Sequence, residues 1–165
     1  LAMVSIMVMT PVHMSHVEVT LSVIGLVISV HVLGMFAFSP LVGSLSDRWG
    51  RVRVIQIGVV LLLAAAAVAG VSPAMNAVSL GAGLFLLGLG WSCTLIAGST
   101  MLSESMTVEM RPSSQGASDL MMNLLGAVGG AASGVILSVA SYGWLCFFVG
   151  VLVCALGGWS LRIRS

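Results

Sequence analysis

Apolar stretches of about twenty residues recur along this chain, and nearly all the charge is confined to the short links between them. A helix rises about 1.5 Å per residue, so each stretch is long enough to cross the ~30 Å hydrocarbon layer of a bilayer. Composition agrees: of 165 residues, 59% are hydrophobic and only 7% charged. A water-soluble domain carries about 25% charged residues. The chain therefore reads as an integral membrane protein, with neither the surface of a soluble enzyme nor the basic patch of a nucleic-acid-binding domain.

Taken in order, residues 1–10 are apolar but too short to span. Pro11 and the polar cluster His13, Ser15, His16 and Glu18 close that segment. Leu1 is not an initiator Met, and no basic region precedes the first apolar run, so the segment does not read as a signal peptide. It reads as the tail of a helix that begins upstream. Five full spans follow, at 20–42, 52–70, 77–102, 113–140 and 145–161. Pro40 is expected to distort the last turn of the first of these, and Pro112 suits the first turn of the fourth. The expected fold is all-α: a polytopic transmembrane bundle of five full spans and one partial, forming a single transmembrane domain over 1–165. The three Cys (93, 146, 154) sit in apolar runs, where a free thiol behaves as a small hydrophobe, and no disulfide is expected.

Alternating the links between two sides sorts the arginines. Arg48, Arg51, Arg53, Arg111, Arg162 and Arg164 all fall on one side. The other holds His13, His16, Glu18, 71–76 and 141–144, with no Arg or Lys. Arginine-rich links face the cytoplasm. The expected location is the plasma or inner membrane, with the C-terminus cytoplasmic and Tyr142 and Trp144 in the opposite aromatic belt.

The most charged link is 43–53, which reads Gly43-Ser44-Leu45-Ser46-Asp47-Arg48-Trp49-Gly50-Arg51-Val52-Arg53 and holds four of the eleven charged residues. Gly43 removes a side chain where two helix ends are expected to approach. Gly50 permits a positive φ in a tight turn. Asp47 can accept hydrogen bonds at a neighbouring helix N-terminus, where negative charge is favoured. Arg48, Arg51 and Arg53 can pair with acids or lipid phosphate. A purely anchoring role explains the arginines but not Gly43, Asp47 and Gly50 at these spacings. The pattern G-x-L-x-D-R-x-G-R-x-R between two spans resembles the signature loop of the major facilitator superfamily of secondary transporters. In that family the loop joins the second and third helices of each six-helix half, which matches its place here. The family's first half usually carries an Arg in its fourth helix, and 77–102 has none. The resemblance thus implies the second half, helices seven to twelve with the seventh truncated.

Three further sets of residues invite roles. Gly126, Gly130 and Gly134 recur at four-residue steps, with Gly129 and Ser133 beside them, and suit close helix packing. The alternative is a smooth surface for rocking during transport. Asp119 is the only acid well inside a span, where a charge at the membrane centre costs roughly 2.5–3.5 kcal/mol. It reads as a proton-coupling group or, preferably, as a gate partner for an Arg of the missing N-terminal half. His31 lies near mid-span, where such carriers bind solute. It reads either as a proton carrier or as a neutral ring bonded to a neighbouring helix, the latter preferred. His13, His16 and Glu18 have a ligand-like spacing but lie in a short link without Cys, so a solvated loop is preferred and no metal or other cofactor is expected.

The resemblance implies alternating access with a site shared between two halves. Mainly apolar and small residues lean towards proton-coupled efflux of a small hydrophobic or amphipathic solute. The alternatives are a non-transporting helical scaffold and, last, a membrane-embedded enzyme, for which no paired acids lie at one depth.

Overall fold

The computed structural model describes residues 1–15 and 19–162, with the side chains of 156 and 159–162 excepted. Seven α-helices carry these residues: α1 (Ala2–Ser15), α2 (Leu21–Phe36), α3 (Ser39–Trp49), α4 (Arg51–Val71), α5 (Ala77–Glu104), α6 (Arg111–Val139) and α7 (Tyr142–Arg162). A 3-10 turn at Val108–Met110 precedes α6. Among the described residues, four units are long and apolar enough to cross a membrane: Leu21–Trp49, Arg51–Val71, Ala77–Glu104 and Val108–Val139. Ala2–Ser15 is a shorter apolar helix, and Tyr142–Ala155 is the apolar stretch of α7 whose side chains are all described.

The helix boundaries follow from single residues. Pro40 has no N–H to give Phe36, so α2 stops there and α3 restarts with Pro40 in its first turn. Ser39 Oγ donates to the Met35 carbonyl at 3.3 Å across the break. The helix then runs on past Val42, so the expected loop at 43–53 is helical apart from one residue. That residue is Gly50, whose φ of +89° ends α3 and starts α4. The apolar stretch ends at Val42, but nothing between 43 and 49 breaks a helix. The side chain of Asn76 caps α5, its Oδ1 accepting from Ser79 N at 3.0 Å. Pro112 sits in the first turn of α6, as expected.

α5 is the axis of the bundle, packed between α4 and α2, with α7 against the far side of α4 and α6 mainly against α1. Its Leu80, Leu84 and Leu87 are fully buried among Ile24 and Val27 of α2, Ala65 and Ala69 of α4, and Ile6 of α1. Lipid chains are as apolar as these side chains, so burial alone drives little association, and close van der Waals contact must do it. Glycine provides that closeness where α2 crosses α5. A Cβ on Gly34 would lie 2.5 Å from the Phe85 carbonyl oxygen, and one on Gly88 would lie close against the backbone oxygen of His31. Neither position admits any other residue without parting the helices.

The contacts also sort the helix ends. Arg51 reaches Glu104, so the α3–α4 and α5–α6 junctions share one end of the bundle. Gly70 meets Gly143 and Thr10 meets Tyr142, so the α4–α5 and α6–α7 junctions and the end of α1 share the other. This is the alternation that put Arg48, Arg51, Arg53 and Arg111 on one side in sequence.

Candidate gate and passage face

Arg51 is the hub at the arginine end. Its Nη1 donates to Asp47 Oδ1 at 2.8 Å, one turn back across the Gly50 corner, and to the Ser46 carbonyl at 2.9 Å. Its Nη2 and Nε donate to the two oxygens of Glu104, at 2.5 and 3.3 Å. A bidentate guanidinium–carboxylate pair is directional as well as attractive. One side chain therefore ties together the ends of α3, α4 and α5. The acids remain open to solvent, with Asp47 72% and Glu104 54% exposed. Ion pairs so exposed add little to stability, so this link positions helix ends and can be broken cheaply.

The other residues of this stretch behave differently. Asp47 is bonded to a side chain and not to a helix N-terminus. Gly43 makes no close approach, since a Cβ there would meet nothing within 4 Å. The tight crossing lies two turns earlier, at Gly34. Arg48 and Arg53 are exposed, with no acidic partner among the described residues. The part of this cluster that the sequence pattern left out is Glu104; its only signal was its place in the other link on the arginine side.

Along α6, Gln115, Asp119 and Asn123 recur at four-residue steps and form a polar stripe. Gln115 Nε2 donates to Asp119 Oδ1 at 3.3 Å and to Ser99 Oγ of α5 at 3.2 Å. Asn123 Nδ2 donates to the Asp119 carbonyl at 2.9 Å. Asp119 and Asn123 are exposed, as are Leu120, Met121, Leu124 and Val128 around them. The Asp119 carboxylate thus stands on an open face with only an amide beside it.

His31 is fully buried at the α2–α5 crossing, its Nδ1 2.7 Å from the Leu84 carbonyl. A carbonyl can only accept, so Nδ1 carries the proton and Nε2 is left as an acceptor, buried without a partner. The ring fastens two helices and touches no open space in this conformation. The glycines of α6 divide. Gly126, Gly129 and Ser133 are buried, and the two glycines lie against the start of the chain: a Cβ on Gly129 would lie 2.7 Å from Leu1 Cγ and one on Gly126 3.3 Å from Val4 Cγ2. Gly130 is at ordinary contact distance from Val4, and Gly134 meets nothing within 4 Å. The glycines that face α1 are therefore 126, 129 and 130, and Gly134 of the 126–130–134 series is not among them.

At the other end, Tyr142 joins α1 to α7. Thr10 donates to its own helix at the Ile6 carbonyl, which leaves its oxygen, 2.7 Å away, to accept from the Tyr142 hydroxyl. His13 stacks on the Tyr142 ring with centroids 4.4 Å apart. His16, Glu18 and Arg164 lie outside the described residues, as does the side chain of Arg162.

The family model for the Major Facilitator Superfamily matches residues 1–164. The chain is 42% identical over 142 residues to the uncharacterized MFS-type transporter YddS of Bacillus subtilis (strain 168), an alignment covering 86% of this chain and 33% of that protein. It is 41% identical over 153 residues to YdeG, another uncharacterized MFS-type transporter of the same organism, covering 92% and 35%. It is 30% identical over 129 residues to the riboflavin transporter RfnT of Brucella anthropi, covering 74% and 31%. The chain spans about a third of the length of these relatives.

Proposed function

Because this chain belongs to the major facilitator superfamily of membrane transporters, we propose that it forms the second six-helix half of a secondary active carrier working by alternating access. The observation that carries this reading is the polar stripe Gln115–Asp119–Asn123, with Asp119 and Asn123 exposed, on a helix otherwise apolar enough for lipid. An ionisable group at depth in a membrane faces protein or a water-filled cavity by default. The open face of α6 therefore borders a passage, with the missing N-terminal half opposite.

In that geometry Asp119 is the gate residue: an Arg of the other half closes on it at the cytoplasmic end and releases it when the passage opens inward. The Arg51 hub keeps the ends of α3, α4 and α5 moving together during that change. Leu120, Leu124 and Val128 leave the passage wall largely apolar, which favours a small hydrophobic or amphipathic solute, exported in exchange for protons. One relative is named as a transporter of riboflavin, a flat amphipathic molecule of this kind, and riboflavin is a natural first probe.

The test uses the full-length protein in proteoliposomes under an imposed proton gradient, with riboflavin and a lipophilic cationic dye as solutes. Gradient-dependent flux of at least one is expected. Asp119→Asn should lower it by about tenfold, the size of one lost hydrogen bond to a charge, without lowering the melting temperature. A cysteine placed at position 123 should change its reactivity to an impermeant thiol reagent when solute is added. Unchanged reactivity at 123 together with unchanged flux in Asp119→Asn would overturn the proposal.

A further inference from the structure

The three arginines of the 43–53 stretch occupy different environments. Arg51 is engaged by Asp47 and Glu104, whereas Arg53 is exposed and meets no carboxylate among the described residues. Arg53, Gln56, Ile57 and Val60 stand at i, i+3, i+4 and i+7 of α4, so they share one side of that helix. With Trp49 and Leu61 they line a notch of about 420 Å³. Trp49 is the last residue of α3, and the Gly50 corner leaves its ring beside the first turns of α4.

Polarity in this notch runs lengthwise. The guanidinium, the indole and the Gln56 amide lie towards the arginine end of the helix. Ile57, Val60 and Leu61 lie one to two turns deeper, with Ile57 36% and Val60 64% exposed. Because α4 is of membrane length, that gradient follows the membrane normal. Donors and positive charge sit at headgroup depth, and an apolar wall continues into the hydrocarbon. Arg is suited to this position: its stem packs on apolar surface while its planar fork presents paired donors to a phosphate. Trp is likewise an interfacial residue.

We propose that this notch is a binding site for an anionic phospholipid, with the phosphate on Arg53 and one acyl chain along Ile57 and Val60. Charge decides the occupant. A protein helix laid over the notch would bury an uncompensated guanidinium, and a zwitterionic lipid cancels its own phosphate charge. An anionic lipid supplies the guanidinium's missing counter-charge and a chain for the wall in one molecule. The site is separate from the passage face on α6 and does not rest on the transport reading.

The full-length protein, purified in detergent, would be titrated with phosphatidylglycerol, phosphatidylcholine or glycerol 3-phosphate, and bound lipid counted by native mass spectrometry. Phosphatidylglycerol should be retained about fivefold more strongly than phosphatidylcholine, the effect of one basic residue at an anionic headgroup. Arg53→Gln should remove that preference and Arg53→Lys recover part of it. Val60→Trp, which fills the apolar end, should weaken retention with the arginine intact. Arg48→Gln, which removes a charge just outside the notch, should leave retention unchanged. The proposal is overturned if Arg53→Gln retains phosphatidylglycerol as the parent does, or if Arg48→Gln loses as much, which would mean diffuse surface attraction. It is also overturned if glycerol 3-phosphate competes as well as the lipid, which would mean a site for free phosphate.

Discussion

α5 and α6 look alike in sequence, since both are long, apolar and rich in glycine, yet they do opposite work. Over its apolar length α5 is 56% buried and α6 17%. In α5 three of the five glycines sit against backbone: Gly88 on His31, Gly83 with its Cβ position 3.2 Å from Ala69 N, and Gly90 with its Cβ position 3.0 Å from the Gly58 carbonyl, whereas Gly81 meets only a side chain and Gly98 nothing within 4 Å. In α6, Gly126 and Gly129 meet side chains of α1, and Gly116 and Gly134 meet nothing within 4 Å. Glycine content therefore does not by itself mark a packed helix. What distinguishes the two is whether a second backbone is close enough to forbid a Cβ. α5 with α2 and α4 makes a rigid block, and α6 presents an open face.

The largest effect expected from this difference is on stability. Gly88→Ala should cost about 3 kcal/mol, the upper range for overpacking that only backbone movement can relieve. Gly134→Ala should change stability by less than about 0.5 kcal/mol, as surface substitutions do. Melting of the purified full-length protein in detergent checks both. Equal melting of the two variants would break the distinction between block and face.

A smaller effect is expected at His31, which belongs to the block although its chemistry suggests the passage. His31→Gln should lower stability by about 1 kcal/mol, the scale of an interhelical hydrogen bond in a membrane. The pH profile of transport should stay where it is, because the ring is sealed between α2 and α5. A displaced profile would move His31 from the block to the passage and return proton transfer to it.

The outline of this fold was open to sequence reading because lipid imposes it: span length, Pro40, Pro112, Gly50 and the arginine bias all act through local or one-dimensional rules. Three things were not. The helix continues through 43–49, since charge marks where the membrane ends and not where hydrogen bonding along the backbone stops. The α1-facing glycines of α6 fall at 126, 129 and 130 and not at 134, since an all-apolar helix carries no periodicity to orient it. Glu104 as the second partner of Arg51 depends on how α4 and α5 align at their ends, which follows from the close α4–α5 approaches at Gly58–Gly90 and Gly83–Ala69. Asp119 stood out because an acid in an apolar run is conspicuous, but its open position on α6 is a tertiary fact.

The smallest stability effect, and the sharpest use of the comparison, concerns Glu104. If the glycine crossings already fix α4 against α5, the Arg51–Glu104 pair is not needed to hold the block together. Glu104→Gln keeps the side chain's size, and Arg51 retains Asp47 and the Ser46 carbonyl. The melting temperature should then fall by no more than about 1 °C, as for other solvent-exposed pairs. That difference should vanish in 1 M salt, where screening acts within about 3 Å. Opening at the arginine end is the discriminating measurement: with the start of α4 less firmly tied to the end of α5, that end should open and close at a changed rate, seen as altered thiol reactivity of a cysteine at position 123 on α6. A large loss of stability in Glu104→Gln would mean that the block is held at its end by charge and not along its length by backbone contact, and the contrast between α5 and α6 would need another cause.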